Sequence, residues 1–139
     1  MNALPLLLVP GLMCDHTVWD PLLPQLSSSH ACTVVDHGDA NSLAQMAVQL
    51  LQDAPPLFYL AGHSMGARVA LEVLRLAPER IGGVALLDTG YLPKLSGPAG
   101  EEEISKRFRL LQIAQTKGVR VMADEWVQGM VHPDRKSVV

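Results

Sequence analysis

Gly62-His63-Ser64-Met65-Gly66 has the residue types and spacing for acyl-transfer chemistry: a hydroxyl nucleophile between two glycines, after the apolar run Leu57–Ala61 and before a helical pattern. A serine at a sharp strand-to-helix turn sits on a strained backbone with little room around it. Glycines two residues to either side remove the Cβ atoms that would collide with strand and helix. The helix that follows aims its N-terminal N–H groups and partial positive charge at the point where an oxyanion would develop beside Ser64. The Met65 N–H is the first candidate donor.

Such a turn needs a sheet behind it, and the chain supplies one. Leu4 to Val9 is a continuous apolar run closed by Pro10-Gly11, which predicts a strand buried on both faces. Ligands bind at the carboxyl ends of strands in open α/β sheets, so Pro10-Gly11-Leu12-Met13-Cys14 should face the same crevice as Ser64. Trp19, Leu22, Leu23 and Leu26 follow a helical template, with Asp20 as cap and Pro21 at the first position. Pro24 makes that helix short or irregular. Thr33-Val34-Val35 is the second strand. Ser42 and Gln45 form a capping box ahead of the stripe Leu43, Met46, Ala47, Leu50 and Leu51, which Pro55-Pro56 ends.

Leu57 to Ala61 is the third strand and leads into the turn. In the next helix Arg68, Glu72 and Arg75 are the polar positions and apolar residues fill the rest, the pattern of a central helix against a sheet. Pro78 stops it. Ile81 to Leu87 is the fourth strand, ending at Asp88. Strands alternating with helices predict right-handed crossovers and an α/β fold, a parallel sheet with helices on both faces. Leu92 to Gly100 reads as a linker. Beyond it, Glu101, Glu102 and Glu103 load the first turn of one amphipathic helix carrying Ile104, Phe108 and Leu111, closed by Lys117-Gly118. A second runs from Val119 to about Met130, before His132-Pro133.

Taken together, Gly62-His63-Ser64-Met65-Gly66, Val9-Pro10-Gly11-Leu12 upstream, and Pro78-Glu79-Arg80-Ile81 through Leu86-Leu87-Asp88 downstream resemble the α/β-hydrolase family, in the family's order. The resemblance covers residues 4 to about 90 well and is looser beyond. It implies a spatial strand order of second, first, third, fourth, and a Leu12 N–H that completes an oxyanion hole with Met65. It implies a hydrolase core over residues 1–91, with a linker and lid-like helical segment over 92–139. The implied activity is a serine hydrolase cleaving an ester, thioester or similar acyl bond, with Ser64 as nucleophile and no metal or organic cofactor. Pro10 replaces the commoner His-Gly form of the oxyanion loop.

In this family the activating acid and histidine follow the lid, in the order serine, acid, histidine. This chain is expected to stop inside or just after the lid, so Ser64 should react slowly by itself. Asp88 and His132 have the right order to stand in for the missing pair, although a strand end and a lid loop explain them as well. His63 is a poor base, since it points away from the Ser64 side chain. The alternative reading is non-catalytic: a hydrolase-like scaffold, or a module that binds acyl groups at the turn's N–H groups.

Elsewhere, Asp15 and His16 read as solvated or capping groups, and Asp36-His37-Gly38-Asp39 as a loop before a helix rather than a metal site. A net charge of −3 with scattered basic residues gives no case for nucleic acid or an anionic membrane surface. Cys14 and Cys32 fit free thiols in a reducing compartment, hence a cytoplasmic location. The expected partner is a small-molecule ester or acyl substrate.

A fourth strand left as a parallel edge, with its apolar face uncovered, predicts self-association through that edge. Size-exclusion chromatography should show concentration-dependent oligomers, and a clean, stable monomer would count against this expectation.

Overall fold

The computed structural model describes residues 3–138. The chain forms two compact units, Met1–Tyr91 and Leu92–Val139.

The first unit is built on a parallel sheet of four strands: β1 (Leu6–Val9), β2 (Cys32–Val34), β3 (Phe58–His63) and β4 (Ile81–Leu87), in the spatial order β2-β1-β3-β4. This is the order that the resemblance implied. β1 pairs with β2 on one side and β3 on the other, Leu8 lying between Val34 and Ala61, and all four of its residues are buried.

One face of the sheet is covered by α2 (Leu43–Asp53) and α3 (Met65–Leu76). Met46, Ala47 and Leu50 of α2 and Val69, Ala70 and Val73 of α3 close on Leu7, Val9, Phe58 and Leu60. Burying a Met, Leu, Val or Phe side chain here stabilises the fold by roughly 1.5–3 kcal/mol, the two alanines contributing less, and it is this layer that presses α3 onto the sheet. The opposite face holds a smaller cluster, where Trp19 covers Leu6, Leu8 and Ala61, helped by Leu23 and Leu26.

Several boundaries differ from expectation for local reasons. α1 is a single turn, Leu23–Leu26, with Pro24 in its first positions. Asp20 does not cap it; Asp15 instead accepts a hydrogen bond from Thr17 N–H and starts the short turn His16–Val18. Ser42 caps α2 through Gln45 N–H, but the Gln45 side chain reaches Asn41 N–H, so the box is reciprocal only in part. β3 continues through Gly62 to His63, because β4 pairs with it to that point. Leu74 and Leu76 are exposed, so the apolar face of α3 is narrower than its sequence suggested.

Arg80 ties the loop between α2 and β3 to the start of β4. Its guanidinium donates to the carbonyls of Leu51, Ala54 and Pro55 at 2.7 to 3.0 Å and stands over the Phe58 ring. Leu51 is in the last turn of α2, Ala54 caps it and Pro55 follows, so Arg80 satisfies carbonyls at a helix end that lack a helical partner.

In the second unit, α4 (Pro98–Lys117) and α5 (Val119–Val127) are joined at Gly118, whose φ of 92° turns the chain. α4 begins three residues before the acidic run, because Pro98 is pre-set for a first helical position. Glu102 and Glu103 therefore lie beyond the first turn, where they pair with Lys106 and Arg107 one turn on. Arg109 and Glu125 link the two helices at 2.6 Å. No helix among the described residues is long and apolar enough to cross a membrane.

Replacing Arg80 with alanine would strand the three carbonyls. Urea unfolding should then show a loss of about 1.5–3 kcal/mol, the range for hydrogen bonds to a charged group, with Arg80→Lys recovering only part of it. A change within about 0.5 kcal/mol, the range of ordinary surface substitutions, would show that the contact is incidental.

Candidate active site

Ser64 stands between the end of β3 and the first residue of α3 with φ 54° and ψ −116°. This is a positive-φ conformation that L-residues rarely adopt, and it costs on the order of 1–3 kcal/mol unless the surroundings impose it. They do so through both backbone ends. Ser64 N–H donates to Leu87 C=O at 2.9 Å, and Ser64 C=O accepts from Ala67 N–H at 3.1 Å and from the Thr89 hydroxyl at 2.9 Å.

The flanking glycines permit the approach. A Cβ on Gly62 would come within 2.5 Å of Ala67 Cα and collide with Gly66 C=O, so strand and helix could not meet. One on Gly66 would strike Val9 C=O and lie 2.5 Å from Pro10 C=O, so α3 could not close on the end of β1. Gly11 performs the third such task, since its Cβ would be 3.2 Å from Ser64 Cβ and 3.1 Å from His63 Nδ1. The loop after β1 thus runs directly beside the serine.

That loop is a turn closed by Cys14 N–H donating to Gly11 C=O at 3.1 Å, with Leu12 and Met13 at its tip, both 46% exposed. Met13 has φ 61°, in a position where turns of this kind favour glycine. Leu12 N–H and Met65 N–H make no hydrogen bond among the described residues. Met65 follows Ser64 directly at the start of α3, and Leu12 follows Gly11, the residue that packs against Ser64.

Three of the four histidines of this unit are engaged elsewhere. His16 approaches Asp20 at 3.4 Å, His30 meets Leu4 C=O at 3.0 Å, and His37 meets Pro10 C=O at 3.2 Å. His63 Nδ1 is buried without a partner. No side chain among the described residues hydrogen-bonds to the Ser64 hydroxyl. The Asp15 carboxyl is held below the usual carboxylate range, first by the Thr17 side chain and then by Thr17 N–H, so the capping role accounts for it. In the second unit, His132 lies within 3.5 Å of Asp134. Asp88 has φ 46° and is exposed at the end of β4.

Sequence reasoning missed two contributors. Thr89 anchors Ser64 C=O, and its only signal is a hydroxyl one residue past the strand-ending Asp88. Met13 adopts a left-handed turn that its side chain does nothing to announce.

Comparisons with known proteins fit this geometry. A family model described as the alpha/beta hydrolase family matches residues 6–137. Pimeloyl-[acyl-carrier protein] methyl ester esterase from Klebsiella pneumoniae (strain 342) is 37% identical over 84 residues, covering 55% of this chain and 33% of that protein. In fold, the chain resembles a carboxylesterase structure from the thaumarchaeon Nitrososphaera gargenis, with TM-score 0.72, 18% identity, and coverage of 89% of this chain and 49% of that one. It also resembles a thermophilic esterase from Thermogutta terrifontis, with TM-score 0.70, 23% identity, and coverage of 98% and 56%. The chain thus spans about a third of the curated relative and about half of these structures. With the Gly62–Gly66 turn, the strand order and a family model matching nearly its whole length, this chain belongs to the α/β-hydrolase family.

Proposed function

We propose that Ser64 is the nucleophile of a hydrolase that cleaves an ester, thioester or similar acyl bond, with the N–H groups of Leu12 and Met65 receiving the oxyanion. The observation that carries this reading is the imposed backbone of Ser64, φ 54°, with the Gly11 loop packed against it. Strain concentrated at a serine and held by three hydrogen bonds to its backbone groups is costly for stability and useful for presenting a hydroxyl. Family membership and the esterase relatives support an ester substrate.

The chemistry is acyl transfer. Ser64 Oγ bonds to the carbonyl carbon as its proton is taken up by a base, and the carbonyl oxygen becomes an oxyanion facing the two N–H groups. Collapse of the oxyanion breaks the C–O or C–S bond, the alcohol or thiol leaves with that proton, and water then hydrolyses the acyl-serine to release the acid and restore the hydroxyl. In this reading the unit Met1–Tyr91 is the hydrolase core, the unit Leu92–Val139 is the lid-like segment, and the location is cytoplasmic. The exposed edge of β4, with Leu86 42% and Leu87 38% accessible, supports self-association through that strand.

A base must remove the serine proton. The absence of a hydrogen bond to the Ser64 hydroxyl among the described residues favours the rival reading, a hydrolase-like scaffold or acyl-binding module without chemistry. An added base separates the two. With p-nitrophenyl acetate, mass spectrometry of the digested chain should find an acetyl group on the peptide holding Ser64. Its rate of appearance should rise at least tenfold with added imidazole, and Ser64→Ala should abolish it. Acetylation confined to lysines, or the same pattern in Ser64→Ala, would favour the scaffold.

A further inference from the structure

The first unit carries three cationic side chains, all arginines. Arg75 is bound to Glu72 at 2.6 Å, and Arg80 to three backbone carbonyls. Arg68 has neither an ion pair nor a hydrogen bond among the described residues, and it is exposed.

Its position is electrostatically unfavourable. Arg68 is the fourth residue of α3, one turn after Ser64, where the unpaired N–H groups of a helix start disfavour a cation. Helix N-termini ordinarily take acidic residues, and α3 has none in its first turn. An unpaired cation that breaks a local rule beside a nucleophile marks a site where function outweighs stability.

The side chain also reaches the loop that follows β4. A guanidinium nitrogen of Arg68 lies 3.3 Å from where a Cβ of Gly90 would stand. Gly90 follows Thr89, whose hydroxyl holds Ser64 C=O. Glycine at 90 therefore leaves open the space that the guanidinium occupies, at the carboxyl end of β4. Asp88 of the same loop is exposed and makes no ion pair with it among the described residues.

We propose that Arg68 forms an anion subsite beside Ser64 that takes a carboxylate carried by the substrate. The planar guanidinium fork matches a carboxylate through paired N–H···O bonds, and the helix N-terminus adds to the attraction. This proposal deepens the hydrolase reading and rests on it for the identity of the reacting bond. It assigns the substrate class as an acidic ester, with an ester bond at Ser64 and a carboxylate at Arg68.

The test reads binding in the Ser64→Ala chain, so it does not depend on acylation. Monomethyl glutarate, which has one ester and one carboxylate, and dimethyl glutarate, its neutral counterpart, are titrated while 1H–15N spectra are recorded. The Arg68 Nε–H resonance, identified by its loss in Arg68→Gln, should shift saturably with the monoester, together with the amides of residues 64–66 and 89–90. The diester should bind at least tenfold more weakly. Ser64→Ala/Arg68→Gln should lose the preference while its other resonances overlay those of the parent, and Arg68→Lys should keep part of it. Equal affinity for the two esters, an unmoved Arg68 resonance, or a preference that survives Arg68→Gln would each overturn the subsite. Failure of Ser64 acetylation with saturable monoester binding would instead remove the hydrolase reading and leave the anion site standing.

Discussion

The close approach of α3 to the carboxyl end of β1 is the constraint on which the rest of the structure depends. Gly66 stands where any side chain would meet the carbonyls of Val9 and Pro10, and Gly62 where one would meet the first turn of α3. Because both positions lack a Cβ, the helix starts without a spacer after β3, and the chain must turn within one residue. That residue is Ser64, and its positive φ is the geometric consequence. The core beneath supplies the force: Val69, Ala70 and Val73 are fully buried against Phe58 and Leu60, and moving the helix outward would expose them.

A strained residue also needs its backbone groups held, and here the neighbouring strand does the holding. Leu87 C=O takes the Ser64 N–H, and Thr89 donates to Ser64 C=O. β4 is thus both an edge of the sheet and a brace for the turn. It carries no charged residue along Ile81–Leu87, and its outer side has no strand partner among the described residues. Natural edge strands are ordinarily protected by charge, proline or a covering element. This edge is bare, yet the geometry of Ser64 depends on it.

The fold was legible in the sequence where glycine, proline and unbroken apolar runs carry geometric meaning. The parallel sheet followed from runs such as Leu6–Val9 and Ile81–Leu87 alternating with helical patterns, and the turn at Ser64 from its paired glycines. The strand order came from family resemblance rather than from any local signal. Ends set by competition were harder to read. Pro98 starts α4 ahead of the glutamates, and pairing with β4 carries β3 two residues past Ala61. Least legible were residues whose role is imposed from outside. Met13 and Asp88 adopt a positive φ that their side chains do nothing to announce, and Thr89 holds Ser64 from a distant point of the chain.

The central claim is that packing forces Ser64 into a conformation suited to glycine. The most direct measurement compares the unfolding free energies of Ser64→Gly and Ser64→Ala in urea. At an ordinary helix position alanine is more stable than glycine by about 0.5–1 kcal/mol. Here the order should reverse, with the glycine variant about 1 kcal/mol more stable than the alanine variant because it relieves the positive-φ strain. An alanine variant as stable as the glycine variant, or more so, would contradict the account and mean that the turn at Ser64 is relaxed.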